Sequence, residues 1–486
     1  MTPFEFAATS DVPFPSVVVQ IAPEELERVR AGKMALPEGF SLVGAIPSPR
    51  PSEQDRSFHI GELTLHNFRS FKEKSFIFTG DVNLLIGRNG KGKTAILDAL
   101  AIAVGPLLEA LAPRSRRQLQ GDDARRVSYE KGGLLTIEPQ LPAKIACRGL
   151  TSDDQFHWEL ALTEPGPDAE ATSQPSPKLS GFASFLARAV QKGYDATLPL
   201  ISYYGTGRLW LQKATSVDPM KPGSRLRGYT GCLDPASDLG QVWGWFKQME
   251  LIQLQKGSEI GALTAAKRAL ASCLEGWDDV HYDVQLDELV ARAQGGPTLP
   301  FRMLSDGVRN MLAMVADMAY RSAVLNPHLS ADATEKTPGI VLIDELDLHL
   351  HPTWQGKVLE SLRRTFPRVQ FFATTHSPFI VQSLRPGELI DLDDDEPGEY
   401  YQRSIEDIAE DVMGVPVPQR SARWKEMMAE AREYYRLLQE KSASPEDLAR
   451  KKARLDALIE PFSDNPAYVA FLQMKREAAG LGGDEG

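Results

Sequence analysis

Val82-Asn-Leu-Leu-Ile86-Gly87-Arg88-Asn89-Gly90-Lys91-Gly92-Lys93-Thr94-Ala95-Ile-Leu-Asp-Ala-Leu100 is the stretch that decides the fold. VNLLI reads as a strand covered on both faces, and TAILDALAIAV as the helix that follows it. Between them stands a complete GxxxxGK[ST] phosphate-binding loop in the right context, after a buried strand and opening a helix. Its glycines let the backbone N–H groups turn inward around the β- and γ-phosphates. The helix N-terminus adds favourable potential, Lys93 supplies a point charge, and the Thr94 hydroxyl is a ligand for Mg2+. Asn89, Gly90, Lys91, Gly92, Lys93, Thr94 and Ala95 are therefore the candidate nucleotide-binding residues, with ATP and Mg2+ as the expected cofactors.

Working outward, Ile340-Val-Leu-Ile-Asp344-Glu345 reads as a second buried strand that delivers two carboxylates at its C-terminal edge, where open α/β sheets bind ligands. Asp344 can hold Mg2+ through water, while Glu345 can orient and deprotonate the water that attacks the γ-phosphate. A helix over 352–366 and the strand VQFFATT follow, and such strand–helix–strand order implies a parallel sheet with right-handed crossovers. Upstream, GELTLHNF, SFIF, PAKIACRG and DQFHWELALTE are strand candidates for an antiparallel β subdomain. Residues 165–180, PGPDAEATSQPSPKLS, read as a mobile surface loop. A buried strand, LPLISYY, precedes a mainly helical insertion over about 205–300, with helix at 234–275 and strands at 281–286 and 289–293.

The expected division is an arm and linker over 1–58, with one short helix at 23–31, a head over 59–400, and a C-terminal helical partner-binding module over 401–486. In that module Trp424, Met427, Met428, Ala431, Tyr435 and Leu438 share a stripe, and Ser444-Pro-Glu-Asp447 is a helix-start signal. The stripe suits either a docking surface or a helical hairpin packing on the chain itself.

Lys plus Arg number 54 against 66 Asp plus Glu, a net −12 that excludes a surface gripping nucleic acid by bulk charge, so any direct DNA contact is local. Five arginines between 114 and 126 could form such a patch, or a solvated face. Cys147, Cys232 and Cys273 form no CxxC pair, which argues against a zinc site or disulfide framework. With no run of 18 apolar residues and no basic flank before an apolar N-terminal run, neither a membrane span nor a signal peptide is expected, and the location expected is cytoplasmic.

Three further pieces complete a pattern: Leu346-Asp347 after Glu345, Thr375-His376-Ser377 after the next strand, and Leu304-Ser305-Asp306-Gly307 opening a helix. They resemble the D-loop, the switch histidine and the signature motif of the ATP-binding-cassette ATPases. Alone, LSDG reads equally as a plain helix cap. The resemblance implies an α/β, ABC-type P-loop ATPase head with catalytic roles for Glu345, Asp347 and His376. It also implies a head-to-tail ATP sandwich dimer in which Ser305 and Gly307 serve the γ-phosphate held by the other subunit. The signature departs from LSGGQ, with Asp306 for Gly and Val308 for Gln, as in the chromosome-maintenance and repair branch, and the extra carboxylate leaves Asp306 without an assigned role. No residue takes the family's Q-loop position. YYGTGRLW, with Arg208, stands near it, or is a glycine turn with Arg208 packed on Trp210.

ELTLHNFRSF, YYGTGRLW, MLSDGVRNMLAMVADMAYR, LIDELDLHLHPTWQGKVLESL and ATTHSPFIVQSL, spread over about residues 61–384, together resemble the bacterial defence ATPases related to RecF and the OLD nucleases. Among these the likeness is to the ATPase subunit (PtuA) of Septu and Septu-like retron systems. It implies an ATP-hydrolysing subunit of an anti-phage complex that controls a separate HNH nuclease and is not itself a nuclease, with a retron reverse transcriptase and its RNA/DNA as further partners. A DNA-repair ATPase of the RecF or SMC kind is the rival from the same fold, and a slow-hydrolysing nucleotide sensor and scaffold the rival from another class. His349 and His351 have no cysteine or carboxylate partner at fixed spacing, so zinc is not expected there. Asp391-Leu-Asp393-Asp394-Asp395-Glu396 reads as an acidic solvated turn rather than a Toprim metal cluster.

Overall fold

The computed structural model describes residues 3–8, 17–20, 40–45, 58–151, 155–164, 172–174, 176–207, 223–235, 239–273, 276–393, 404–413, 422–440 and 444–459. Five strands build a parallel sheet: β1 (Val82–Ile86), β2 (Leu200–Tyr204), β3 (Gly339–Ile343), β4 (Val369–Thr374) and β5 (Leu389–Asp391). Their order is β2-β3-β4-β1-β5, with every neighbouring pair parallel. β1 to β4 are buried throughout, which apolar runs between two covering layers require. Asn83, the polar member of β1, accepts from Thr79 N at 2.8 Å and donates to Thr79 O at 3.0 Å, so its amide closes the turn before the strand. Because β4 lies between β1 and β3, the phosphate loop and the paired carboxylates open on one sheet edge with a strand's width between them.

Helix α1 (Lys93–Ala103) leaves the phosphate loop and is buried from Ala95 to Ala103, as a helix apolar on all sides must be. With the next helical segment it forms Lys93–Leu111, the one described stretch long and apolar enough to cross a membrane, yet 83% of it is buried within the protein. An antiparallel sheet covers α1, its strands ordered Thr172–Gln174, Gln155–Leu162, Ala143–Leu150, His59–Phe68 and Phe71–Ile77. Inward-facing Leu63, Leu65, Ile145 and Phe156 join one core with Leu97 and Ala101 of α1. Three bonds lock the layers: Trp158 Nε1 donates to Ala103 O at 2.9 Å, and Gln370 of β4 holds both the N–H and the carbonyl of Ile60 at 2.8 Å.

Elsewhere the structure departs from the sequence reading. Of the stretch expected as a surface loop, residues 165–171 lie outside the described residues, but Pro177 opens the helix Pro177–Gln191, which buries Leu179, Ala183 and Leu186. Proline at the first turn starts helices as readily as it interrupts them. In the insertion the expected order of helix and then strand holds, with helices Leu239–Lys256 and Gly261–Cys273 followed by strands Trp277–Asp283 and Glu288–Ala293, and a third strand not expected, Thr298–Pro300, completes an antiparallel sheet. Arg208 and Trp210 lie outside the described residues. The single helix expected over 352–366 is two, Pro352–Gln355 and Val358–Thr365. In the N-terminal arm Pro3–Ala8, Val17–Gln20 and Phe40–Ala45 pair antiparallel, while the expected helix at 23–31 lies outside the described residues.

The chain divides into two compact units, Met1–Arg403 and Ser404–Gly486. In the second, helices Ala422–Glu440 and Pro445–Ile459 pair through Met427, Ala431, Tyr434 and Leu455, all buried. Ser444 accepts from Asp447 N at 3.1 Å and so caps the second helix. Met427, Met428 and Ala431 of the stripe are thus used within the hairpin, Tyr434 packs there as well, and the side chains of Trp424, Tyr435 and Leu438 lie outside the described residues.

Candidate functional site

Left-handed backbone shapes the phosphate loop: Gly87, Gly90 and Gly92 have φ of +141°, +84° and +100°. At Gly92 a Cβ would stand 2.6 Å from the Phe71 ring and 2.7 Å from Ser70 Oγ, so only glycine fits between the loop and the hairpin turn beside it. Lys93 Nζ donates to Gly87 O at 2.6 Å, within the loop itself. Burial lowers the Lys93 ammonium below its usual value, and Asp344, foremost among four nearby carboxylates, pulls it back up. Lys91 and Asn89 are exposed and Ala95 is buried at the start of the helical core.

The paired carboxylates meet the loop through one continuous chain of bonds. Thr94 Oγ1 donates to Asp344 Oδ2 at 2.9 Å, Thr374 Oγ1 donates to Asp344 Oδ1 at 2.6 Å, and Thr374 Oγ1 also accepts from Glu345 N at 2.7 Å. Asp344 is buried, and its own N–H donates to Tyr204 O at 2.8 Å. Glu345 takes a φ of +49°, a left-handed conformation that a non-glycine residue holds only at a cost of about 1–3 kcal/mol. The hydroxyl of Thr374 helps to hold that turn, together with the backbone bonds from Leu346 N to Thr374 O at 2.8 Å and from Leu348 N to Glu345 O at 3.0 Å.

Asp347 Oδ1 accepts from Thr375 Oγ1 at 2.5 Å and from His376 N at 3.2 Å, so it fixes the backbone that presents His376, whose side chain is exposed. Helix α2 (Asp306–Leu325) starts from Ser305, whose hydroxyl is exposed and makes no cap bond to its own helix. Asp306 forms an ion pair with Arg309 one turn on, which answers the extra carboxylate in the signature. Gly307 lies against the segment after Asp347: a Cβ there would stand 2.4 Å from His349 O, and Asn310 Nδ2 donates to Leu348 O at 3.0 Å. His349, at φ +62°, turns that carbonyl toward α2, and His351 Nδ1 accepts from Thr353 N at 3.4 Å as a helix cap.

Of the acidic run at 391–396, residues 394–396 lie outside the described residues; Asp393 is exposed, and its carboxylate also braces the outer limb of the phosphate loop, Oδ2 accepting from Arg88 N at 2.7 Å and Oδ1 pairing with Lys91 at 2.8 Å. The Lys91 ammonium in turn holds its carboxyl below the usual range. Of the five arginines between 114 and 126, three are ion-paired: Arg116 with Glu109 at 2.9 Å, Arg117 with Asp98 at 2.5 Å and Arg126 with Asp122 at 2.5 Å. Thr374 and Asp393 were not singled out as site residues. Thr374 carried one local signal, its place at the strand end just before Thr375-His376.

Phosphate loop, paired carboxylates and five-stranded parallel sheet define an ABC-type P-loop ATPase head. Two domain families match, an AAA domain over residues 62–275 and a second AAA domain, of the AbiEii toxin, type IV TA system kind, over residues 274–382. The chain is 26% identical over 392 residues to the Escherichia coli protein named "Retron Ec83 probable ATPase", covering 67% of this chain and 70% of that one. It is 40% identical over 355 residues to the Septu protein PtuA of Bacillus mycoides, covering 70% of this chain but 41% of that protein's length. A RecF protein of Listeria welshimeri is 29% identical over 140 residues, 29% of this chain and 33% of RecF. Among solved structures, an SMC head bound to the winged-helix domain of ScpA is similar with a TM-score of 0.41 and 17% identity, covering 68% of this chain and 93% of that one. The sequence relatives thus include a retron ATPase, a Septu protein and a RecF protein, and the chain spans less than half the length of the Septu and RecF proteins it matches.

Proposed function

We propose that this chain binds and hydrolyses Mg2+-ATP in a site completed by a second copy of itself, and that its nucleotide state controls an associated HNH nuclease in a cytoplasmic anti-phage complex. The bond chain Thr94–Asp344–Thr374–Glu345 carries the reading, because it ties a hydroxyl, a carboxylate and the backbone of the proposed base to one another beside the phosphate loop. Thr94 and Asp344 offer two hard oxygens 2.9 Å apart, a donor set that suits magnesium, which when bound neutralises charge on the phosphates. Lys93 turns from Gly87 O to the phosphates, Glu345 accepts the proton of the attacking water, and Asp347 positions His376 beside the γ-phosphate.

Ser305 supports the two-chain site, since an exposed hydroxyl that does not cap its own helix is available to a phosphate held by another molecule. The retron name of one relative supports a reverse transcriptase and its RNA/DNA as further partners, and the Septu relative supports a nuclease-bearing complex. In this reading DNA cleavage belongs to the separate subunit, and direct DNA contact by the head is local. The RecF match favours a repair ATPase as the second reading. Glu345→Gln tests the proposal: it should keep Mg2+-ATP binding, stop turnover and accumulate an ATP-bound dimer. Wild-type hydrolysis by this variant would remove Glu345 as the base.

A further inference from the structure

Tyr203 and Tyr204, the last residues of β2, point to opposite faces of the sheet, as strand neighbours must. Tyr203 Oη donates to Asp98 Oδ1 at 3.1 Å on α1, and Tyr204 Oη donates to Asp317 Oδ2 at 2.7 Å on α2. The helix that carries Lys93 and the helix that Ser305 begins are therefore held from one strand end. Both carboxylates have other partners. Asp98 is ion-paired with Arg69 and Arg117, and Asp317 accepts from Arg321 Nε at 2.7 Å. Arg321 Nη1 goes on to Gly228 O and Thr230 O at 2.8 and 3.1 Å. β2 is itself fixed along its free edge, where Tyr203 N donates to Cys232 O at 2.8 Å and Gly205 N to Pro235 O at 3.0 Å. Both phenols are buried, and burial raises them far above their ordinary value, so each stays protonated and donates. Tyr204 O takes the Asp344 N–H at 2.8 Å, which adds the metal-binding carboxylate to the same strand end.

We propose that Tyr203 and Tyr204 are positioning residues that form a strut through the sheet, tying the phosphate-binding helix to the signature helix. Nucleotide bound in one chain thereby sets the attitude of the Ser305 that the same chain presents to its partner. The strut rests on the two-chain site proposed above. It also accounts for the two tyrosines of YYGTGRLW without recourse to Arg208. Its parts are in series, so breaking either hydroxyl bond breaks the connection. A purely local role for each hydroxyl would instead make two independent losses.

Tyr203→Phe, Tyr204→Phe and the double variant separate these cases, because phenylalanine keeps the ring packing and leaves each aspartate its arginine. Thermal unfolding confirms that the variants fold, calorimetry reads ATP affinity, and phosphate release reads turnover. Affinity should stay within about twofold, while kcat falls about tenfold in each single variant and no further in the double. Unchanged kcat in the single variants, or a double loss equal to the product of the single losses, would overturn the strut. Wild-type turnover per chain that does not fall on dilution would instead overturn the two-chain site. The single-and-double pattern would still report whether the two helices are linked.

Discussion

Thr374→Val removes one hydroxyl and with it both bonds that join the Asp344 carboxylate to the backbone N–H of Glu345. Thr374 is fully buried, and valine keeps its branching while offering no donor or acceptor. Asp344 Oδ1 loses a donor at 2.6 Å, and Glu345 N loses its acceptor at 2.7 Å. Losing a hydrogen bond costs about 0.5–1.5 kcal/mol, and about 1.5–3 kcal/mol where a partner is charged, so the variant should lose about 2–4 kcal/mol of stability. The bond from Thr94 to Asp344 Oδ2 remains, and the phosphate loop is untouched, so ATP affinity should change by less than about threefold. Turnover is another matter, because the left-handed turn that carries Glu345 then keeps only its backbone bonds, such as Leu346 N to Thr374 O at 2.8 Å. A loss of about 2–3 kcal/mol of transition-state stabilisation lowers kcat roughly a hundredfold. Urea unfolding, ATP calorimetry and phosphate release measure the three quantities, and Thr374→Ser, which restores the hydroxyl, should recover most of the turnover. A valine variant with wild-type unfolding midpoint and wild-type kcat would refute the reasoning.

Lys93→Ala removes the one ammonium aimed at the β- and γ-phosphates, so calorimetry should show ATP affinity lowered about a hundredfold or more, and unchanged affinity would remove the phosphate-loop assignment. Gly307→Ala sets a methyl group 2.4 Å from a backbone carbonyl that has no flexible end to swing away. Helix α2 or the segment at His349 must then shift, at a cost of about 1–3 kcal/mol in urea unfolding, with turnover reduced more than ATP binding. Equal stability and turnover in that variant would show that the close approach has no consequence.

The phosphate loop and the paired carboxylates were legible because each is a run of adjacent residues whose spacing alone states the chemistry. What joins them was not. Thr94 and Asp344 are 250 positions apart, and Arg88 and Asp393 are 305 apart, so no local pattern announces either bond. Asp393 therefore read as one acid among several. The arginines at 114–126 left two readings open for the same reason, since Glu109 and Asp98, which neutralise two of them, lie outside the run. The helix at Pro177–Gln191 was hidden by a Pro- and Ser-rich start whose composition matches that of a loop, although its apolar spacing, with Leu179, Ala183 and Leu186 buried, was present in the sequence. Tyr203 and Tyr204 were seen as a motif, but their meaning depends on which helices the sheet brings to its two faces.

Mixing two inactive variants tests the two-chain site most directly. Lys93→Ala cannot hold the nucleotide but keeps a working Ser305, whereas Ser305→Glu keeps its phosphate loop and turns a like charge toward the partner's γ-phosphate. In a head-to-tail dimer the mixed pair contains one site with both defects and one with neither. Each variant alone should be inactive, and an equimolar mixture should recover about a quarter of wild-type ATP hydrolysis, since half of the dimers are mixed and each of those holds one intact site out of two. A mixture no more active than the sum of its inactive parts would contradict the account.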